Sequence, residues 1–227
     1  MSDSKIITLQ NFMRYQKHRF WTERSFYRLA QRITASFFGA FGKLESQGNE
    51  HIPRKGGVLL LSNHLSYIDP PLIGTVATRE IYYMARDDVF RIPGLNKLIV
   101  TLNAFPVRRG AADLAALRHT LSLLKKGKVV LIFPEGTRSV DGTLAEAYAG
   151  VSFIVHRAKV PTIPVFLKGS ERMLPRNAKC FYPAKLSVTF GPPINFAEVQ
   201  GIKDKRELYR CMGEIIMKAI GDLRCKA

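Results

Sequence analysis

Residues 59–70 read Leu-Leu-Leu-Ser-Asn-His-Leu-Ser-Tyr-Ile-Asp-Pro, and this stretch decides the fold. Residues 58–61 form a short apolar run behind two glycines, which predicts a buried β-strand. His64 then lies at the carboxyl end of that strand, where open α/β sheets bind their ligands. Asp69 precedes Pro70-Pro71, a pair typical of the first turn of a helix. We therefore predict a strand, a short loop that carries His64, and a helix that begins near Asp69.

The spacing of His64 and Asp69 suggests a catalytic pair. A carboxylate that accepts the Nδ1 hydrogen of an imidazole fixes its tautomer and leaves Nε2 free as a base. The alternative is that Asp69 caps the helix, which is worth about 1 kcal/mol, and that His64 is an ordinary loop histidine. The pair alone does not decide between these interpretations.

Composition and charge narrow the class of protein. The chain has 227 residues, 46% of them hydrophobic, which suits one domain with a sizeable core. Its formal net charge of +17 predicts an anionic partner: nucleic acid, a phospholipid surface, or a phosphorylated or acyl-carrier substrate. Cys180, Cys211 and Cys225 show no metal-ligand spacing, so we expect reduced thiols in an intracellular protein and no metal. We find no secretory signal and no apolar run of about 18 residues, so any membrane contact is expected to be peripheral.

Aromatic and basic residues are mixed between residues 11 and 43, which predicts one or two amphipathic helices. Such a helix packs its aromatic face on the domain, or lies in a membrane interface. Aromatics with positive charge also suit a stacking platform for single-stranded nucleic acid. We assign residues 1–45 as an N-terminal amphipathic segment that anchors the protein to a membrane surface, and residues 46–227 as an α/β domain, with a polar linker at 46–55.

Strands and helices alternate through the rest of the chain, which predicts a single α/β domain. The predicted strands are 58–61, 81–84, 103–110, 128–133, 161–167 and 186–190, and the predicted helices are 71–78, 92–100, 111–126, 145–158 and 203–223. Two prolines in 161–167 predict an edge strand or an irregular entry.

Glu135-Gly136-Thr137-Arg138 follows a buried strand, as His64 does. Gly136 allows close backbone approach, Thr137 offers a hydroxyl, and the planar fork of Arg138 suits phosphate. An Arg–Glu pair that ties a loop is the alternative.

Arg108-Arg109 ends another predicted strand and offers further guanidinium groups, unless it is a solvated basic turn. Pro161 and Pro164 would form a rigid apolar wall.

Four motifs of this chain have the order and approximate spacing of the four blocks of the glycerolipid acyltransferases. They are Asn63-His64-x4-Asp69, Phe105-Pro-Val-Arg-Arg109, Phe133-Pro-Glu-Gly-Thr-Arg138 and Val160-Pro-x-x-Pro164. The chain resembles this family from about residue 48 to residue 194. The resemblance implies an α/β domain with a mixed central sheet flanked by helices.

The resemblance also implies a role for each matching residue. His64 would be the general base and Asp69 would orient it. The acceptor's phosphate and glycerol would be held by Arg109, Glu135, Gly136, Thr137 and Arg138, with Arg108 as an auxiliary cation. Pro164 would belong to the acyl or acceptor pocket.

The implied reaction transfers a fatty acyl group from acyl-CoA or acyl-carrier protein to the sn-2 hydroxyl of 1-acyl-glycerol 3-phosphate, which gives phosphatidic acid. No cofactor is implied, and the partners would be the lysophospholipid, the acyl donor and an anionic membrane surface at the cytoplasmic face, with no nucleic acid. The alternatives are another acceptor (lyso-ornithine lipid, another lysophospholipid or glycerol 3-phosphate), a hydrolase with Ser62 or Ser66 as nucleophile, or a basic nucleic-acid-binding protein, although no binding module for the last is recognisable.

Overall fold

A seven-stranded sheet forms the centre of the protein in the computed structural model, which describes residues 21–108 and 113–226. The strand order is β1-β7-β6-β2-β5-β3-β4, and neighbours are parallel except β6 and β7, which are antiparallel. This confirms the predicted mixed α/β sheet. The strands are β1 Glu45–Gln47, β2 Val58–Ser62, β3 Ile81–Arg86, β4 Ala104–Val107, β5 Val129–Ile132, β6 Thr162–Lys168 and β7 Ser187–Phe190.

The described helices are α1 Trp21–Gly42, α2 Asp69–Val76, α3 Leu95–Thr101, α4 Leu114–Lys125, α5 Ala149–Ala158, α6 Ser170–Met173 and α7 Lys205–Asp222. Short 3-10 turns occur at Asn49–His51, Asp87–Arg91, Ala197–Val199 and Leu223–Lys226. The predicted helices are confirmed with small shifts at their ends. The part of the predicted N-terminal helical segment before residue 21 lies outside the described residues.

Helices cover both faces of the sheet. On one face lie α1 and α2, and the hydroxyl of Tyr27 in α1 is 3.2 Å from that of Tyr83 in β3. On the other lie α4, α5 and α7, where His119 of α4 packs edge-on against Phe105 of β4 at 4.9 Å between ring centroids. The central strands are therefore buried on both sides, as their continuous apolar sequences require.

Helix α1 runs over one face of the sheet, from the amino ends of the central strands to their carboxyl ends. Near its start, the Tyr27 hydroxyl accepts a hydrogen bond from the Ile81 N–H, where β3 begins (3.1 Å). At its end, the Gly42 carbonyl accepts from the Leu186 N–H (2.7 Å), beside the first residue of β7, which pairs with Lys168 at the end of β6. The helix therefore links the amino edge of the central strands to their carboxyl edge.

Of the two alternatives predicted for residues 161–167, an edge strand or an irregular entry, the edge strand is wrong, because β6 lies inside the sheet between β7 and β2. Pro164 pairs with Leu61, and its carbonyl accepts from the Gly191 N–H (2.8 Å). The proline nitrogen faces the same way, toward the point where β7 has already ended at Phe190. The missing N–H therefore lies just beyond the last β6–β7 pair, Val165 and Phe190, so an interior strand accommodates the proline.

The predicted linker at 46–55 is also wrong in part, because residues 45–47 form the edge strand β1. All three side chains are exposed, so no apolar alternation marks this strand.

Among the described residues, no helix combines the length and apolar character needed to cross a membrane. Cys180, Cys211 and Cys225 are free thiols, as predicted.

Candidate active site

The polar residues that follow the parallel strands meet at the carboxyl edge of the sheet. His64 comes after β2 and Glu135 after β5, and these two strands are neighbours. The His64 N–H donates to Glu135 Oε1 (3.1 Å), so the first and third sequence blocks are in direct contact.

His64 and Asp69 form a hydrogen-bonded pair, with 2.8 Å between His64 Nδ1 and Asp69 Oδ2. The same oxygen accepts from the N–H groups of Leu65 (2.6 Å) and Ser66 (2.7 Å). These donors precede α2, whereas a helix cap accepts from residues that follow it. Asp69 is the first helical residue and is fully buried. The geometry therefore favours the pair over the capping interpretation.

Contacts to both the ring and the backbone of His64 hold the residue in place. It stacks on Phe133 with 4.0 Å between ring centroids, and the His64 carbonyl accepts from the Ser139 N–H (2.7 Å). Because Asp69 Oδ2 acts as an acceptor toward both backbone N–H groups, we assign the proton to Nδ1 and the lone pair to Nε2. The side chain is 17% exposed. Nε2 can thus receive a proton while the ring keeps its orientation.

Glu135 supports the His64 loop from the neighbouring strand. Its second oxygen, Oε2, accepts from the Ala145 N–H (3.1 Å). Burial raises the pKa of the Glu135 carboxyl, and the two backbone hydrogen bonds partly oppose that rise. Both oxygens are engaged with backbone, so the structure gives Glu135 a positioning role. Its predicted contact with substrate stays a prediction.

The residues after Glu135 form a tight turn. Gly136 has a φ of +62°, and a Cβ on it would lie 2.6 Å from the Tyr148 ring. The guanidinium of Arg138 lies over the Tyr67 ring, 3.6 Å from its centroid. Arg138 therefore contacts Tyr67 and does not form the alternative ion pair with Glu135, whose two oxygens accept from backbone N–H groups. Thr137 and Arg138 are both half-buried beside the His64 loop.

Two predicted binding residues remain without geometric support. Arg109 lies outside the described residues, so its role stays a prediction. Its neighbour Arg108 is exposed, and its N–H donates to Asp113, which caps α4. Pro164 is buried inside β6, level with Leu61 near the carboxyl end of β2, and its predicted place in a pocket stays a prediction.

The family of this chain follows from comparisons with known proteins. The model of the acyltransferase family matches residues 43–168, more than half of the chain. The chain belongs to the acyltransferase family.

Relatives of this acyltransferase agree with the match. A 1-acyl-sn-glycerol-3-phosphate acyltransferase of Bacillus subtilis is 26% identical over 82% of this chain and 90% of its own length. A chloroplastic enzyme of the same name from Brassica napus is 28% identical over 69% of this chain but only 46% of its own length. The crystal structure of the 1-acyl-sn-glycerophosphate acyltransferase PlsC from Thermotoga maritima superposes with a TM-score of 0.69 at 25% identity, covering 89% of this chain and 82% of that one.

Sequence reasoning missed how Asn63 serves the acyltransferase. Its side chain donates to the Leu167 carbonyl (3.0 Å) and accepts from the Leu167 N–H (2.7 Å). The amide therefore pairs with β6 as a backbone unit would, and it fixes the exit of β2 next to His64. An asparagine directly after a buried strand was the available signal.

The Tyr67 ring beneath Arg138 was also missed, although Tyr67 lies in the same loop as His64. No sequence pattern connects it with a residue so far along the chain.

The two serines near His64 are engaged elsewhere. Ser62 Oγ donates to the Asn63 carbonyl (3.0 Å) and Ser66 Oγ to the Leu174 carbonyl (2.8 Å). Neither hydroxyl donates to the imidazole, which disfavours a serine hydrolase.

Proposed function

We propose that this acyltransferase transfers a fatty acyl group from acyl-CoA or acyl-carrier protein to the sn-2 hydroxyl of 1-acyl-glycerol 3-phosphate, forming phosphatidic acid. The observation that carries the proposal is the His64–Asp69 pair, with its tautomer fixed and Nε2 left as a base beside the Arg138 turn. The names of the relatives support the choice of acceptor.

In this reaction His64 Nε2 takes the proton of the acceptor hydroxyl as its oxygen attacks the thioester carbonyl. The new C–O bond forms, the C–S bond breaks, and the departing thiolate takes the proton back from the imidazolium. Asp69 stabilises the imidazolium in between. A positioned base contributes about 10²–10⁴-fold to such a rate. The chemistry as written needs no cofactor beyond the acyl donor.

The phosphate of the acceptor supplies the positioning. We assign its binding to Arg138, which lies over the Tyr67 ring, with the hydroxyl of Thr137, the Gly136 turn and Arg109 as further contacts. A guanidinium can bind phosphate through two parallel hydrogen bonds, which fixes direction as well as distance. Holding the hydroxyl near Nε2 in this way lowers the barrier more than the base does.

We further propose that residues 1–45 attach the enzyme to the membrane as a peripheral protein at its cytoplasmic face. Helix α1 packs on the sheet through Tyr27 and Phe38, and beside them runs a second apolar stripe that is exposed except at the half-buried Phe37. The members of this α1 stripe are Phe26, Leu29, Ile33, Phe37 and Phe41. Their spacing places them on one flank of the helix, as in helices that lie in a bilayer interface.

The α1 stripe continues at the carboxyl edge of the sheet. The Phe37 ring lies 5.2 Å from that of Phe181, and Phe181 and the adjacent Tyr182 are about half exposed. The segment around them reaches the catalytic loop, because the Leu174 carbonyl accepts from the Ser66 hydroxyl. A membrane-bound lysolipid would therefore approach His64 along an apolar surface.

The deciding experiment measures release of free thiol from acyl-CoA and from acyl-carrier protein with purified enzyme and a panel of acceptors. We expect release that depends on 1-acyl-glycerol 3-phosphate and falls strongly with 1-acyl-glycerol, which lacks the phosphate. His64→Ala should abolish transfer with either donor. Equal turnover with and without the acceptor phosphate would reject the proposed substrate, and preference for another lysolipid would reassign it.

A further inference from the structure

A second basic site lies at the opposite end of the strands from His64. A cavity of about 510 Å³, here called the amino-edge cavity, opens where β3 and β5 begin. The start of α1, the loop before β2, the turn before β3 and the α4–β5 turn form its walls. Strand β5 begins at this cavity and ends before Glu135 of the active site, so the whole length of the strand separates the two.

Cations from all four walls converge on this cavity. Among residues 21–108 and 113–226, five basic side chains line it, against the one carboxylate of Glu80: they are Arg28, Arg54, Arg79, Lys126 and Lys128. Like charges gathered in a concave surface raise its potential and attract anions. Acyl transfer at the carboxyl edge gives this cluster no role.

Arg79 is held in place before any ligand binds. Its guanidinium donates to the carbonyls of Pro53 (2.7 Å) and Gly127 (2.6 Å), which join two of the walls. Burial lowers the pKa of Arg79, so its charge is partly removed from water. Both partners are uncharged, so they orient the cation without cancelling its charge.

The cavity also has an aromatic wall. Lys128 Nζ lies 5.7 Å from the centroid of the Tyr82 ring, and both residues line the cavity. Its volume falls within the range of small-molecule sites, larger than a bare phosphate needs. Charge, volume and an aromatic surface together suit a phosphorylated molecule with an organic or diphosphate part.

We propose that the amino-edge cavity is a second ligand site of this enzyme, separate from the acyl-transfer site, and that it binds a phosphate-bearing anion. The phosphate belongs to a soluble diphosphate-like molecule or to an anionic lipid headgroup that reaches Arg28 beside α1. The shared chemistry is a phosphate group held by Arg79 and by the exposed cations Arg54 and Lys126.

The test uses the full-length enzyme with Arg138→Ala as background, which weakens phosphate binding at the catalytic edge. Calorimetry at constant ionic strength measures the affinity for pyrophosphate, and sedimentation measures binding to phosphatidylglycerol vesicles. Adding both Arg54→Ala and Lys126→Ala should lower the affinity for one of these two probes by about tenfold or more, because each removed cation takes away a charge-assisted contact.

The matched control replaces Arg157 and Lys218 by Ala, which removes the same charge at exposed positions of α5 and α7 that do not line the cavity. Selective loss of pyrophosphate binding in the cavity variant assigns a soluble ligand, and selective loss of vesicle binding assigns a headgroup. If the cavity variant and the control have equal affinities for both probes, the proposal is overturned. Circular dichroism on each variant verifies that the fold is retained.

Discussion

Asp69 concentrates three hydrogen bonds on a single carboxylate oxygen, while its other oxygen, Oδ1, is buried without a partner among the described residues. Two of the donors are backbone N–H groups of the loop that carries His64. The carboxylate therefore shapes the loop and orients the imidazole at once. In the proposed mechanism, its negative charge stabilises the imidazolium during proton transfer.

Replacing Asp69 by Asn tests this charge with little change in shape. The amide oxygen still accepts from Leu65 and Ser66, but the charge is lost, so kcat should fall by about 10²–10⁴-fold. The amide nitrogen would be buried without an acceptor, which costs about 1–3 kcal/mol of stability. Transfer is therefore assayed well below the midpoint of thermal unfolding. A kcat within about threefold of the wild-type value would contradict the role.

The His64–Asp69 pair could be predicted because both residues lie in one loop. The functions of Asn63 and Glu135 could not, because their partners lie 104 and 71 residues away in sequence. The sequence did not indicate that both oxygens of Glu135 accept from backbone N–H groups, and its predicted contact with substrate stays a prediction. The sequence predicted that His64 and Glu135 lie at the ends of buried strands, but the contact between them depends on which strands are neighbours.

At the scale of elements, the turn after β5 depends on Gly136. Its positive φ costs an L-residue roughly 1–2 kcal/mol, and a Cβ would also meet the Tyr148 ring at 2.6 Å. Gly142 is the matched control, since it has a φ of +80° and nothing within 4 Å of a Cβ.

We expect Gly142→Ala to lower the free energy of unfolding by about 1–2 kcal/mol, and Gly136→Ala to lower it further because Tyr148 must move. Urea unfolding of both variants measures the difference. Equal losses would show that Tyr148 yields at no cost and that only the backbone conformation matters. Gly136→Ala should also reduce transfer, because Thr137 and Arg138 follow directly.

The strands and helices themselves could be predicted where apolar patterns were strong, as in β2, β5 and α4. The edge strand β1 could not, because its three side chains are all exposed. For β6 the edge position, one of two predicted alternatives, is wrong, although prolines in a strand often indicate an edge. Whether its missing N–H matters depends on where β7 ends, which no local pattern reveals.

At the scale of the whole molecule, the α1 stripe predicts how the enzyme meets a bilayer. Leu29 and Ile33 are 54% and 60% exposed, so replacing both with Ser should leave the fold intact and weaken binding to phosphatidylglycerol vesicles. Burial of a large aliphatic side chain contributes about 1.5–3 kcal/mol, so the double variant should bind at least tenfold more weakly.

Val140→Ser is the control for vesicle binding, since Val140 is 82% exposed and lies in the loop between β5 and α5. Sedimentation with vesicles measures all three proteins. If the α1 variant and the Val140 variant bind equally well, α1 is not the attachment surface.

Stability should also depend on pH through His119. Burial, with a smaller contribution from nearby Lys126, lowers its pKa from 6.5 to about 4. Between pH 6.5 and about 4, His119 binds a proton in the unfolded chain but not in the folded protein. The free energy of unfolding should therefore fall as the pH drops through this range. Urea unfolding across this range should show a shallower slope for His119→Gln. Exposed His156→Gln should keep the wild-type slope, and identical slopes for all three proteins would exclude His119 as the cause.

The Asn63–Leu167 contact has a consequence for recombination among related enzymes. The Asn63 amide, directly after β2, pairs with the backbone of Leu167 in β6. The segment that bears the proposed base and the segment that contains β6 should therefore be exchanged together. A chimera that takes these two segments from different parents should fold but misalign its base. Exchanging both together should preserve turnover.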